Sequence, residues 1–134
     1  MLKKKKIISI LLLAIFIFAS SAPTYAATKS YFFNITNATV RSGLPYRTPI
    51  FTPTTDRLSY NIIDSGYDGT YRYAFLEEYV DGAWTFVKGY QMTSLSTVNV
   101  TSLLVNAGSQ YRFSISTTDT RINKISISAY EMLE

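Results

Sequence analysis

Apolar and polar side chains change places residue by residue along most of this chain, and no window sets apolar residues at helical spacing. A two-residue period puts every second side chain on one side of an extended backbone, so each strand buries one face and turns the other to solvent. Tyr31, Phe33 and Ile35 form one such row, and Leu58, Tyr60 and Ile62 a second. Val98 with Val100, then Tyr111, Phe113 and Ile115, then Ile125, Ile127 and Ala129 complete the series. Between the first two rows, Arg41 to Asp56 carries Gly43, Pro45, Pro49 and Pro53, which makes it a long connection with a short edge strand around Ile50-Phe51. Ser102 to Gly108 reads as a single helical turn or tight loop ending at Gly108. Seven or eight strands separated by turn signals predict an all-β fold, an antiparallel two-sheet β-sandwich of jelly-roll type.

The clearest local signal is a hairpin running from Tyr71 through Asp81-Gly82 to Met92. Asp-Gly suits the centre of a type I′ turn, where both positions need positive φ. That turn sets Val80 opposite Ala83, Tyr79 opposite Trp84, Glu77 opposite Phe86, Leu76 opposite Val87 and Tyr73 opposite Tyr90. One face then carries Tyr71, Tyr73, Phe75, Tyr79, Trp84, Phe86 and Tyr90, interrupted by Glu77 and Lys88; the other carries Ala74, Leu76, Val80, Ala83 and Val87 with Arg72 and Glu78. Burying one aromatic ring is worth about 4–6 kcal/mol, so leaving all seven in water would forgo roughly 30 kcal/mol against a usual net stability of about 5–15 kcal/mol. Most of the row is therefore expected in the core, above all Phe75, Trp84 and Phe86. Tyr71, Tyr79 and Tyr90 near the hairpin's ends, with Tyr46 and Tyr67 in loops, remain as candidates for ligand contact.

The opening stretch has the parts of an export signal in order. Lys3 to Lys6 make a positive n-region, Ile7 to Ala19 an apolar stretch broken only by Ser9, and Thr24-Tyr25-Ala26 sets small residues where a signal peptidase reads. Cleavage is expected between Ala26 and Ala27, giving residues 1–26 as signal peptide and 27–134 as one domain. This stretch of thirteen residues falls short of the roughly 20 that span a bilayer, so no membrane anchor is expected in the mature form. The localisation this implies is secreted, and extracellular. A disulfide-free chain with a lysine run and an isoleucine-rich signal resembles the exports of a Gram-positive bacterium. No sorting signal is read at the end of the chain, so the protein is expected to diffuse away unless it binds something.

Removing the signal changes the charge argument. Of the 13 Lys and Arg, four lie in it, against none of the 9 Asp and Glu, so residues 27–134 carry nine of each and are formally neutral. The basic isoelectric point belongs to the signal and gives no support for nucleic-acid or anionic-membrane binding. With no Cys at all, disulfides, thiolate metal sites and cysteine nucleophiles are excluded, and the domain must be held by its core. With no His, there is no imidazole base and no Ser-His-Asp triad. Ser-x-x-Lys does not occur. Glu77 and Glu78 are adjacent in a strand and point to opposite faces, so they do not form an acid–base pair; Glu77 is expected to pair with Lys88 and Glu78 to be solvated. The segment Asp64-Ser65-Gly66-Tyr67-Asp68-Gly69 places Asp64 and Asp68 in one turn. Turn chemistry accounts for its composition, and calcium, which needs about six oxygens, is the competing reading.

The run Val98 to Ser116, with its strand, its Ala107-Gly108 loop and Tyr111-Arg112-Phe113, resembles the closing strands of small secreted β-sandwiches such as the pre-peptidase C-terminal domains. It covers about a sixth of residues 27–134, and the Asp-Leu-Asp-type strand usual in that family is absent. The resemblance implies a non-catalytic jelly-roll module that accompanies exported proteins, and transfers no site residues.

Together these features favour a monomeric, secreted, non-catalytic binding module with no cofactor, its partner a surface glycan or a protein. The competing reading is a small secreted effector, a protease inhibitor or a bacteriocin-like toxin, which large exposed apolar patches would favour. An enzyme ranks third.

Overall fold

A computed structural model describes residues 29–39, 45–66, 69, 71–92, 97–117 and 121–132, with backbone alone at 36–39 and 121–123. The signal segment, the Ala26/Ala27 junction, Tyr67 and Asp68 lie outside the described residues. Eight strands follow in order: β1 (Ser30–Thr39), β2 (Tyr46–Arg47), β3 (Arg57–Asp64), β4 (Arg72–Val80), β5 (Ala83–Met92), β6 (Thr97–Leu104), β7 (Tyr111–Thr117) and β8 (Arg121–Glu131).

They form two antiparallel four-stranded sheets, β1-β8-β3-β6 and β2-β7-β4-β5. Of these strands only β4 and β5 are consecutive within one sheet; every other connection crosses to the opposite sheet, as in a jelly roll. The rows read from the sequence meet between the sheets. Phe33 pairs with Ile127 and Ile35 with Ile125, while Tyr60 pairs with Ala129 and Ile62 with Ile127. Facing them from the other sheet are Ala74, Leu76, Tyr111, Phe113 and Ile115, all buried. Phe51, from the β2–β3 connection, stacks on Phe113 at 5.6 Å, and Tyr60 meets Phe113 edge-on at 5.1 Å.

Two local expectations are corrected. The short edge strand lies at Tyr46–Arg47 rather than Ile50-Phe51, and Phe51 makes only an isolated bridge to Tyr111. After Thr48 donates to the Phe113 carbonyl at 2.9 Å, the next donor to β7 is Phe51, to the Tyr111 carbonyl at 2.9 Å. That is three residues on where regular antiparallel pairing needs two, so the ladder breaks between them. The helical turn offered for Ser102 to Gly108 is replaced by strand, since β6 runs on through Leu104. The alternative of a tight loop ending at Gly108 holds, the chain turning at Ala107-Gly108 with Gly108 at φ 83°.

The hairpin turn is as read, with Asp81 at φ 50° and Gly82 at φ 85°. The first pairs also hold: Val80 with Ala83, Tyr79 with Trp84, Glu77 with Phe86. A register shift between Leu76 and Glu77 then moves every later pair by one, so that Leu76 faces Lys88, Phe75 faces Gly89 and Ala74 faces Tyr90. The extra residue reverses which face the remainder of β5 presents. Tyr90 and Met92 consequently turn to the core with Ala74 and Leu76, and the aromatic row of β4 faces outward.

Candidate functional site

The outward face of β4 and β5 is built from Tyr73, Phe75, Glu77 and Tyr79 on one strand and Trp84, Phe86, Gly89 and Gln91 on the other. This overturns the expectation that Phe75, Trp84 and Phe86 form core. Phe86 is 63% exposed and Tyr79 43%, while Phe75 and Trp84 are half-buried. Each ring here is neither fully buried nor bare, because the rings shelter one another. Tyr73 and Phe75 lie parallel with centroids 6.3 Å apart, Phe86 meets Phe75 edge-on at 6.0 Å, and Tyr79 tilts against Trp84 at 5.3 Å.

Gly89 sets the floor of this surface. A Cβ on it would fall 2.8 Å from Cδ1 of Phe75 and 2.9 Å from Cε2 of Phe86, so both rings rest directly over its backbone. Glycine in a strand weakens it, and a ring from the neighbouring strand laid over an edge glycine restores the lost packing.

Charged groups lie against the rings. Arg112, on β7, donates from Nε to Glu77 at 2.7 Å, and its guanidinium lies 3.9 Å from the centroid of Trp84. Its side chain therefore reaches across β4, held by a carboxylate and an indole face at once. Lys88, expected to partner Glu77, stands exposed at the bulge instead. Glu78 accepts from Nδ2 of Asn106 at 2.9 Å.

The other candidates are scattered. Tyr71 precedes β4 and is 52% exposed. Tyr46 and Tyr90 pack against the core, Tyr90 meeting Tyr60 edge-on at 6.4 Å. Asp64 is buried: Oδ1 accepts from the Gly66 N–H at 3.1 Å and Oδ2 from Arg72, so the carboxylate is engaged inside the protein. Among the described residues no three His, Cys, Asp or Glu side chains group as a metal site would need. Buried phenols stay neutral: burial, then the neighbouring Tyr90 hydroxyl, pushes Tyr60 up, and burial, with Glu78 against the Asn106 N–H, pushes Tyr111 up to about 12. Sequence reasoning missed Arg112 and Gly89. Neither carries a local motif, and both gain meaning only from their cross-strand neighbours.

No family model matches the sequence, and a comparison with curated proteins returns no match. Among solved structures, PirA is similar over 81% of this chain and 97% of its own, with a TM-score of 0.47 and 10% identity. The Yersinia pseudotuberculosis-derived mitogen is similar over 81% of this chain and 86% of its own, with a TM-score of 0.44 and 11% identity. Likeness at this level assigns neither family nor function, and the resemblance to pre-peptidase C-terminal domains stays one of general sandwich form.

Proposed function

We propose that this chain is a secreted, non-catalytic binding module that holds its ligand on the outward face of the β4–β5 hairpin. One observation carries the reading: a run of aromatic side chains lies on the outward face of this hairpin with Glu77, Gln91 and Arg112 set among the rings, rather than as the unbroken apolar patch that would favour an effector. Leaving Phe86 63% exposed forgoes about 2.5–4 kcal/mol of the roughly 4–6 kcal/mol that full burial of a ring is worth, and a bound partner recovers part of it. The position on a sheet adds rigidity, so little side-chain ordering is left to oppose binding. The absence of His and Cys, and the engagement of Glu77 by Arg112 and of Glu78 by Asn106, support the non-catalytic part.

The test is retention of the purified mature protein on isolated bacterial cell walls and intact cells. Trp84→Ala and Phe86→Ala are each expected to weaken retention about tenfold or more, equivalent to about 1.4 kcal/mol. Phe32→Ala is the control, because Phe32 is 72% exposed on β1 in the other sheet. No retention of the parent protein, or equal loss in all three variants, would overturn the reading.

A further inference from the structure

We infer that the ligand of this face is an uncharged polysaccharide, a sugar ring lying on Phe86 and its hydroxyls reaching the Arg112–Glu77 pair. This rests on the binding-module reading and narrows it to a ligand chemistry. Phe86 sets Cε2 against the Gly89 backbone and is 63% exposed, so most of its ring is open to solvent. An exposed π-face is negative, and the C–H groups on the flat side of a pyranose ring are its weakly positive complement. Purely apolar partners would leave the surrounding polar groups unmatched. Tyr73, Tyr79 and Trp84 each carry a polar edge, Gln91 stands exposed opposite Tyr73, and Glu77 is directly opposite Phe86 in the register. Each polar group set beside a ring offers a hydroxyl-bearing ligand a hydrogen bond, and an unpaired one would cost a hydrocarbon ligand.

Charge separates an uncharged glycan from its rivals. Arg112 and Glu77, the ion pair among these rings, neutralise each other at 2.7 Å. An acidic polymer would have to compete with Glu77 for Arg112, and an anionic membrane would meet Asp81 at the hairpin's tip. The face is also open and built on two adjacent strands, which suits an extended chain of linked rings better than a compact metabolite.

The chain carries a single tryptophan, Trp84, which lies on this face, so its fluorescence reports occupancy directly. Purified mature protein is titrated with soluble neutral polysaccharides (glucan, xylan, galactomannan), with polygalacturonate, and with neutral and anionic lipid vesicles. At least one neutral polysaccharide is expected to shift Trp84 emission saturably, with little dependence on salt. Phe86→Ala, an exposed position whose loss spares the core, should weaken it about tenfold or more. Gly89→Ala should weaken it too, by lifting the rings of Phe75 and Phe86, while Phe32→Ala leaves it unchanged. Salt-sensitive binding of polygalacturonate alone, binding of vesicles alone, or a dimer in sedimentation that hides the face would each overturn the inference. So would silence toward every neutral polysaccharide. If wall retention still depends on Trp84 and Phe86 in that case, the binding module stands and only the choice of ligand fails.

Discussion

Arg72 is the bulkiest of the fully buried side chains, and it lies in the core because Asp64 is there to meet it. Asp64 ends β3 in one sheet and Arg72 begins β4 in the other, so the ion pair ties the two sheets beside the chain that connects them. Arg72 also donates to the Gly66 carbonyl at 3.3 Å, and Asp64 holds the Gly66 N–H, which fixes the first residues of that connection. Burying two charges is costly, and what stabilises them is their mutual contact and hydrogen bonds. Asp64→Asn or Arg72→Met alone should therefore cost about 3–5 kcal/mol by leaving a buried charge without its counterpart. The double replacement Asp64→Leu with Arg72→Met should cost less than either single change. Urea midpoints at constant slope measure this directly; additive losses in the double variant would contradict it.

At the scale of the element, the β4–β5 hairpin is governed by its turn and its bulge. The turn holds Asp81 and Gly82 at positive φ, where a side chain with a Cβ is disfavoured by about 1–2 kcal/mol, so Gly82→Ala should lower stability by about that much. Because nothing packs within 4 Å of a Cβ at Gly82, the loss is conformational, and Asp81→Asn, which tolerates the same region, should leave stability nearly unchanged. Thermal midpoints of the two variants decide it. The bulge acts further down. By slipping one residue past Leu76 it places Tyr90 inward and Gly89 outward, where unbroken pairing would have set Val87 opposite Leu76 and Tyr90 opposite Tyr73. A bulge and the exposed Lys88 also blunt β5 as an edge strand, discouraging further pairing.

Across the whole molecule, β8 closes the sandwich, and Glu131 near its end serves as the clasp. Its backbone N–H donates to Lys29 at 3.0 Å, while its carboxylate accepts from the hydroxyls of Tyr31, at 2.7 Å, and Thr54. Burial by itself would raise this carboxyl, but the Thr54 and Tyr31 hydroxyls, the Thr54 backbone and the charge of Lys29 outweigh it and hold the group below its ordinary 4.5. The unfolded chain therefore takes up the proton at higher pH than the folded one. Stability from Glu131 is full above about pH 4.5 and is lost as the pH falls toward the depressed folded value. Urea unfolding as the pH is taken down from about 4.5 should show this loss in the parent protein and a flatter profile in Glu131→Gln. Equal slopes in the two proteins would refute the role.

Alternation in β1, β3, β7 and β8 was enough to say which side chains face inward, because in those strands one face is plainly apolar and the other is mostly Ser, Asn, Thr or Arg. The Asp81-Gly82 turn and its first three pairs were legible for the same local reason: turn geometry is set by the residues that form it. β4 offered no such asymmetry. Both of its faces carry apolar side chains, and a two-residue period says that neighbours point opposite ways without saying where the core lies. That choice was made by the opposing sheet, whose Tyr60 meets Phe113 and Tyr90 and leaves room for Ala74 and Leu76 rather than for a row of rings. The bulge, the Asp64–Arg72 pair and the reach of Arg112 to Trp84 depend likewise on partners brought together by folding. The strands were thus a property of local order along the chain, whereas the aromatic face is a property of packing, since only a second sheet can decide which side of the first stays dry.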